Sequence, residues 1–285
     1  MLKLHILASG SRGNAAIVEN GATGAGVLID CGICKRDFFG RAAEAGFDLA
    51  GLEAVVVTHD HGDHVKGMGV VLRGLAKAGV RPAVYASEAV FAASAPLRDA
   101  VASVGARFCA FEAGEELVLA GLAVRSFATS HDAAASCGFR FDELASQPVG
   151  ADGAPPSPTA AAPLDSLGYM TDTGFVTDEA AAVLAGVRLL ALESNHDGRM
   201  LETGPYPYVV KQRIASTRGH LSNAQAADYL RGAAHGDLRH VVAMHISQEN
   251  NTYRLPRETL VAALADAART VPVSVAYQDR LVTIA

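Results

Sequence analysis

The chain has 285 residues, half of them hydrophobic, with 24 Lys and Arg against 30 Asp and Glu. That length and apolar content allow a sizeable core and exclude a disordered chain. The net charge of −6 excludes wholesale attraction to nucleic acid, so binding of that kind needs a local basic patch.

The N-terminal MLKLHILASG is too short and too polar for a secretory signal; residues 2–9 read as a first strand, and GVLIDCG (26–32) as another. No apolar run reaches membrane-span length, so no membrane partner is expected. Four cysteines make no disulfide framework in a chain this long, which fits a reducing cytoplasm. Cys31 and Cys34 form a lone C-x-x-C, and small buried residues beside a tight turn account for it.

KRDFFGRAAEAG (35–46) reads as a helix closed by Gly46. EAVVVTH (53–59) is a continuous apolar run, as expected of a strand buried on both faces. HVKGMGVVLRGLAKAG (64–79) reads as one helix. Strands follow at 82–87, 115–121, 122–129, 137–142, 167–172, 188–194, 240–246, 272–277 and 280–285. Helices are expected at Asp178–Leu184, Tyr206–Ala215, Ser222–Arg231 and Pro256–Arg269. Several strands precede the helices in two segments, a pattern of two packed sheets with helices outside. Residues 146–163, SQPVGADGAPPSPTAAAP, read as a flexible loop between strands. No repeat or domain boundary stands out, so 1–285 reads as one domain.

The chemistry concentrates in VVVTHDHGDH (55–64), which holds three of the ten histidines. His59 and His61 are two apart and point the same way in extended backbone. Gly62 lets the chain turn, and Asp63 and His64 open a helix on the same side. Four nitrogen and oxygen donors thus converge, a set suited to zinc, manganese or iron. His131, Asp172 and His245 each follow an apolar run, where functional loops begin. They are expected at the same rim and complete a two-metal site.

His59–His64 as H-x-H-x-D-H, with His131, Asp172 and His245 in order, resembles the metallo-β-lactamase superfamily across essentially the whole chain. The resemblance implies an α/β fold of α+β type, an αββα four-layer sandwich with two metals at one edge. It implies that His59, His61 and His131 hold one metal and that Asp63, His64 and His245 hold the second. Asp172 would bridge them, and Asp30 in LIDCG would support the metal loop. A cysteine stands at the Asp172 position in true β-lactamases, and a glutamate at the His61 position in flavo-diiron oxidoreductases. Both departures turn the expectation toward hydrolysis of another ester.

LASGSRGNAAIVE, THDHGDHVKG, GYMTDTG, ESNHD, GPYPYVVKQRIAS, GHLSN and HISQENN are together similar to the YycJ/WalJ branch, near ribonuclease Z. That branch implies 5′ to 3′ exonuclease action on DNA. GHLSN resembles the histidine-hydroxyl motif of ribonuclease Z, which implies a catalytic His220 that does not bind metal. From the residues alone, His220 is also explained as a neighbour of Ser222, a good N-cap. A tRNA-holding arm is missing from the sequence pattern, so tRNA processing is not expected.

In such a site two cations roughly 3.5–4 Å apart activate a bridging hydroxide and neutralise charge on the reacting phosphate. Asp63 would orient the hydroxide, and His220 would donate a hydrogen bond or proton. His196 and Glu193 are expected to contact substrate or support ligands. Ser9, Ser11 and Asn14 lie in SGSRGN, whose backbone amides offer a phosphate nest. Arg199, Lys211, Arg213 and Arg218 offer a local basic track. His5, His235 and His240 have no partner pattern. Competing readings are hydrolysis of a small ester, thioester or cyclic phosphodiester, and a metal-dependent nucleic-acid-binding module.

Overall fold

The computed structural model describes residues 1–144 and 163–285. The loop expected at 146–163 therefore lies, apart from Pro163, outside the described residues.

The first sheet starts with an antiparallel meander. β1 (Leu2–Ala8) pairs with β2 (Ala15–Asn20), and β2 with β3 (Gly26–Ile29). The parallel strands β4 (Leu52–Val56), β5 (Ala83–Ala86) and β6 (Phe108–Ala110) extend it. The second sheet repeats this plan. β7 (Glu116–Leu119), β8 (Leu122–Ala128), β9 (Cys137–Glu143) and β10 (Asp165–Met170) run antiparallel. Then β11 (Leu189–Glu193), β12 (His240–Met244) and β13 (Val273–Val275) run parallel. β14 (Val282–Ile284) returns to pair with β1.

Between the sheets lies one apolar layer, with Leu4, Ile29 and Val56 facing Val124, Phe139, Tyr169 and Val242. The outer face of the first sheet is covered by α1 (Lys35–Glu44), α3 (Met68–Lys77) and α5 (Ala95–Val104) through Phe38, Leu72 and Leu97. The second sheet is covered by α6 (Asp178–Leu184), α9 (Asn223–Ala233) and α10 (Leu255–Asp266) through Leu184, Leu230 and Leu260. This is the expected αββα order. No helix among the described residues is long and apolar enough to cross a membrane.

The expected helix at 64–79 is two. α2 (Gly62–Val65) ends at Lys66, and Gly67 intervenes before α3. A Cβ on Gly67 would lie 1.9 Å from the Ile33 carbonyl oxygen, so the break sits where two backbones touch. Residues 88–104 form α4 (Glu88–Ala93) and α5, where the pattern offered no helix. The short, Ala-rich run has little periodicity; the Ser87 and Ser94 side chains cap the two N-termini.

Candidate metal centre

The site forms where strands from both sheets end. Asp30 follows β3, His59 follows β4, His131 follows β8, Asp172 follows β10 and His245 follows β12; Glu193 is the last residue of β11. Asp30, Asp172 and His245 have positive φ of 57°, 51° and 53°. Such backbone is uncommon outside glycine and persists where its surroundings hold it. Here each residue turns the chain out of a buried strand and aims its side chain at the sandwich edge.

Asp30 is fully buried and organises the H-x-H-x-D-H loop. Its Oδ1 accepts from the Thr58 amide at 2.8 Å, and its Oδ2 accepts from the Thr58 hydroxyl at 2.8 Å and His64 Nδ1 at 2.7 Å. The Thr58 hydroxyl proton is thereby committed, so Thr58 Oγ1 accepts from His59 Nδ1 at 2.9 Å. Both histidines then present Nε2 to the centre. Thr58 was not among the expected residues, although it directly precedes His59.

Asp172 lies at the middle. Its Oδ2 is 3.1 Å from His245 Nδ1 and 3.3 Å from His64 Nε2, and its Oδ1 is 3.4 Å from His220 Nδ1 and 3.9 Å from His131 Nε2. Donor atoms of His59, His61 and His131 lie within 4.8 Å of one another, as do those of Asp63, His64 and His245. His131 Nδ1 donates to the Gly219 carbonyl at 3.0 Å, which leaves its Nε2 to face the site, 3.2 Å from His61 Nδ1. Asp63 Oδ2 is 3.2 Å from Asn14 Nδ2 and 3.5 Å from His64 Nε2.

Two observations show that the donors suit a divalent cation. His59 Nε2 is buried with no hydrogen-bond partner among the described residues, a costly state for a polar atom. The protonation pattern agrees. Burial, with the neighbouring His64 charge, pushes the His59 pKa well down, and burial lowers that of His131. Burial opposes charge on Asp172, but His245 and His64 outweigh it and hold the carboxyl well below its usual range. Burial also opposes charge on His64, yet Asp30 and Asp172 raise its pKa well above the ordinary value. A buried carboxylate among imidazoles thus draws in positive charge.

His220 stands beside this cluster, and its Nδ1 donates to Glu193 Oε1 at 2.7 Å. Burial works against its charge, but Glu193 and Asp172 outweigh burial and raise its pKa to about 9. Fully buried Glu193 is itself fixed, because Oε2 accepts from the Thr173 amide at 2.8 Å. Ser222 does cap α9, as part of a capping box with Gln225. The cap and the placement of His220 coexist.

Behind the centre runs a buried amide network that sequence reasoning missed. Asn223 and Asn251 exchange side-chain hydrogen bonds at 2.9 and 3.1 Å. Ser194 Oγ donates to Asn223 at 2.7 Å, and Asn195 Nδ2 donates to the His245 carbonyl at 2.8 Å. The asparagines in ESNHD, GHLSN and HISQENN are therefore the brace that joins the loops after β11 and β12 to the turn that opens α9. Their signal was their presence in every one of those motifs.

The glycine loop corrects an expectation. The Gly10 amide donates to Asn14 Oδ1, that of Arg12 to Gln278, that of Gly13 to Gly10 and that of Asn14 to the Asp63 carbonyl. These amides are spent inside the protein, so they form no phosphate nest. Ser9 Oγ accepts from the His245 amide at 2.8 Å, Asn14 Nδ2 lies 3.0 Å from His64 Nε2, and Ser11 lines the metal cavity.

The basic track is also corrected. Arg213 lines the metal cavity of about 220 Å³ and pairs with Asp132. Arg218 instead braces the site, donating to the His131 carbonyl at 3.1 Å. Lys211 donates to the Glu202 carbonyl at 2.7 Å and lines a separate cavity, together with His196. Arg199 is exposed on α7 (Gly198–Thr203) and lines neither cavity. Asp132, not anticipated, has Oδ1 3.5 Å from His131 Nε2; its signal was adjacency to His131. His5 is a core residue 2.9 Å from Glu19, and His240 lies 2.8 Å from Ser274.

Comparison with known proteins agrees with this geometry. Residues 26–246 match the model of the beta-lactamase superfamily domain. The chain is 30% identical over 279 residues to exodeoxyribonuclease WalJ of Streptococcus pneumoniae, covering 97% of this chain and 93% of the relative. It is 32% identical over 265 residues to exodeoxyribonuclease YycJ of Bacillus anthracis, covering 93% and 90%. The crystal structure of the metallo-beta-lactamase fold protein YhfI from Bacillus subtilis superposes with a TM-score of 0.70 at 14% identity, over 99% of each chain. Matched over most of its length in sequence, and built with its strand-end His and Asp residues at one sandwich edge, this chain belongs to the beta-lactamase superfamily.

Proposed function

We propose that this protein is a two-metal phosphodiesterase that shortens DNA from an end, 5′ to 3′. The carrying observation is Asp172, with both carboxylate oxygens among His64, His131, His220 and His245. A carboxylate so placed suits a bridge between two cations. His59, His61 and His131 would hold one, and Asp63, His64 and His245 the other. Zinc and manganese both suit such nitrogen and oxygen donors, and iron is compatible with them. When bound, the pair supplies Lewis acidity and an activated water.

The chain's own residues supply the rest. Asp63, at the rim of the cavity, orients the attacking oxygen. His220, held by Glu193, donates a hydrogen bond to a phosphate oxygen or a proton to the leaving alcohol. Arg213, whose Nε is held by Asp132, keeps its terminal amino groups at the mouth, where a phosphate enters. Asp30, Thr58 and Asn14 keep the ligand rings in one tautomer and orientation. Donors come from both sheets, so 1–285 acts as one catalytic unit. The two exodeoxyribonuclease relatives, matched over most of their length, favour DNA over RNA or a small ester.

The test is a panel of labelled single- and double-stranded DNA, RNA and bis-p-nitrophenyl phosphate with metal-loaded protein. DNA is expected to be cut, and Asp172→Ala to lose both hydrolysis and bound metal. Full activity after metal stripping, or turnover of the small diester alone, would overturn the reading.

A further inference from the structure

Beside the metal cavity lies a second one of about 530 Å³, between α7, the start of α9 and α8 (Tyr208–Ile214). Helix α8 has no buried residue and separates the two. Its Val210, Arg213 and Ile214 line the metal cavity, whereas Tyr208, Lys211 and Gln212 line the second. The partition is one helix thick, roughly 10 Å with side chains. A pairing of His196 with Ser222 ties the second cavity's rim to the loop that carries His220.

The lining identifies an occupant. Lys211 is its one cationic side chain among the described residues, and Glu202 lines it too. Arginine lies on the metal side, so the second cavity is a poor phosphate site. What it offers is an aromatic ring, 75% exposed at Tyr208, the apolar Leu201, and the hydrogen-bonding groups of His196 and Gln212. His196 Nδ1 is buried without a hydrogen-bond partner among the described residues. A flat heterocycle with donors and acceptors on its edge fits such a lining, and stacking on an exposed ring is how single strands are held without sequence preference.

We propose that this cavity is a nucleobase subsite. It receives the base beside the phosphate at the metal centre, with Tyr208 as the stacking surface. The inference rests on the nuclease reading and adds where the strand runs, from Arg213 across α8 to Tyr208.

The test compares metal-loaded wild type, Tyr208→Ala and Tyr208→Phe on end-labelled single-stranded DNA. Matched strands carry one abasic site at the first or second nucleotide from the cut end. Tyr208→Ala is expected to raise KM for intact DNA about tenfold, with kcat within about twofold, because a lost stack weakens binding by that order. Tyr208→Phe keeps wild-type KM. One of the abasic strands raises wild-type KM similarly, and Tyr208→Ala adds nothing further on that strand. Hydrolysis of bis-p-nitrophenyl phosphate is unchanged throughout. Wild-type KM in Tyr208→Ala, or equal losses on intact and abasic strands, overturns the subsite while leaving the nuclease reading intact. So does a change in oligomeric state by light scattering with unchanged cleavage, which would mark Tyr208 as a self-association contact. No cleavage of any DNA by wild type overturns both.

Discussion

Replacing Asp30 with asparagine isolates the support of the metal loop from the ligands themselves. Asp30 is fully buried and accepts three hydrogen bonds. Asparagine is nearly isosteric and tolerates the positive φ at this position, so the backbone is spared. Its amide oxygen can still accept from the Thr58 amide. Its NH₂, however, meets His64 Nδ1 at the position of a 2.7 Å contact, donor against donor. The clash is relieved when the His64 proton moves to Nε2, the atom that faces Asp63 and Asp172. That tautomer has no lone pair for a metal. The lost charge-assisted bond, and the Thr58 hydroxyl left without its acceptor, cost about 3 kcal/mol of folding stability, and metal affinity falls about 10- to 100-fold. Asp30→Ala costs about 1 kcal/mol more, because alanine pays for left-handed backbone. Urea unfolding of the metal-free proteins measures the first quantity, and competition with a chromophoric chelator the second. Asp30→Asn protein that binds metal within twofold of wild type would refute this account of Asp30.

Two further outcomes follow from the same contacts. Glu193 and His220 act as a unit, so Glu193→Gln and His220→Ala should each lower kcat by about 10²-fold, and the double variant should be little worse than either; additive losses would show that Glu193 does not work through His220. Burial lowers the His196 pKa to about 4 from an ordinary 6.5. The unfolded chain therefore takes up the proton first: stability from this group is complete above about pH 6.5 and is lost as pH falls toward 4, by about 1 kcal/mol per pH unit. His196→Gln should flatten that part of the pH–stability curve, and an unchanged slope in denaturant titrations would remove His196 from the account.

Much of the centre was legible in the sequence because its ligands are local in chain terms. His59 to His64 occupy six consecutive residues, and strand periodicity with one glycine is enough to converge them. His131, Asp172 and His245 could be placed at strand ends because apolar runs mark where strands stop. The layer order followed from the same alternation. What the sequence left open depends on which strands become neighbours. Asp30 reaches His64 because β3 pairs with β4, and Glu193 reaches His220 because the chain returns from α8 beside β11. Glycine-rich SGSRGN reads locally as an anion nest, yet Gln278, 266 residues from Arg12, claims one of its amides. Arg213 and Arg218 look alike in sequence, but one faces the metal cavity and the other braces a carbonyl. Local spacing determines which chemistry the chain can bring together, because dihedral geometry acts over a few residues. Only tertiary packing decides which polar groups remain free for a substrate, because hydrogen bonds between distant segments consume the rest.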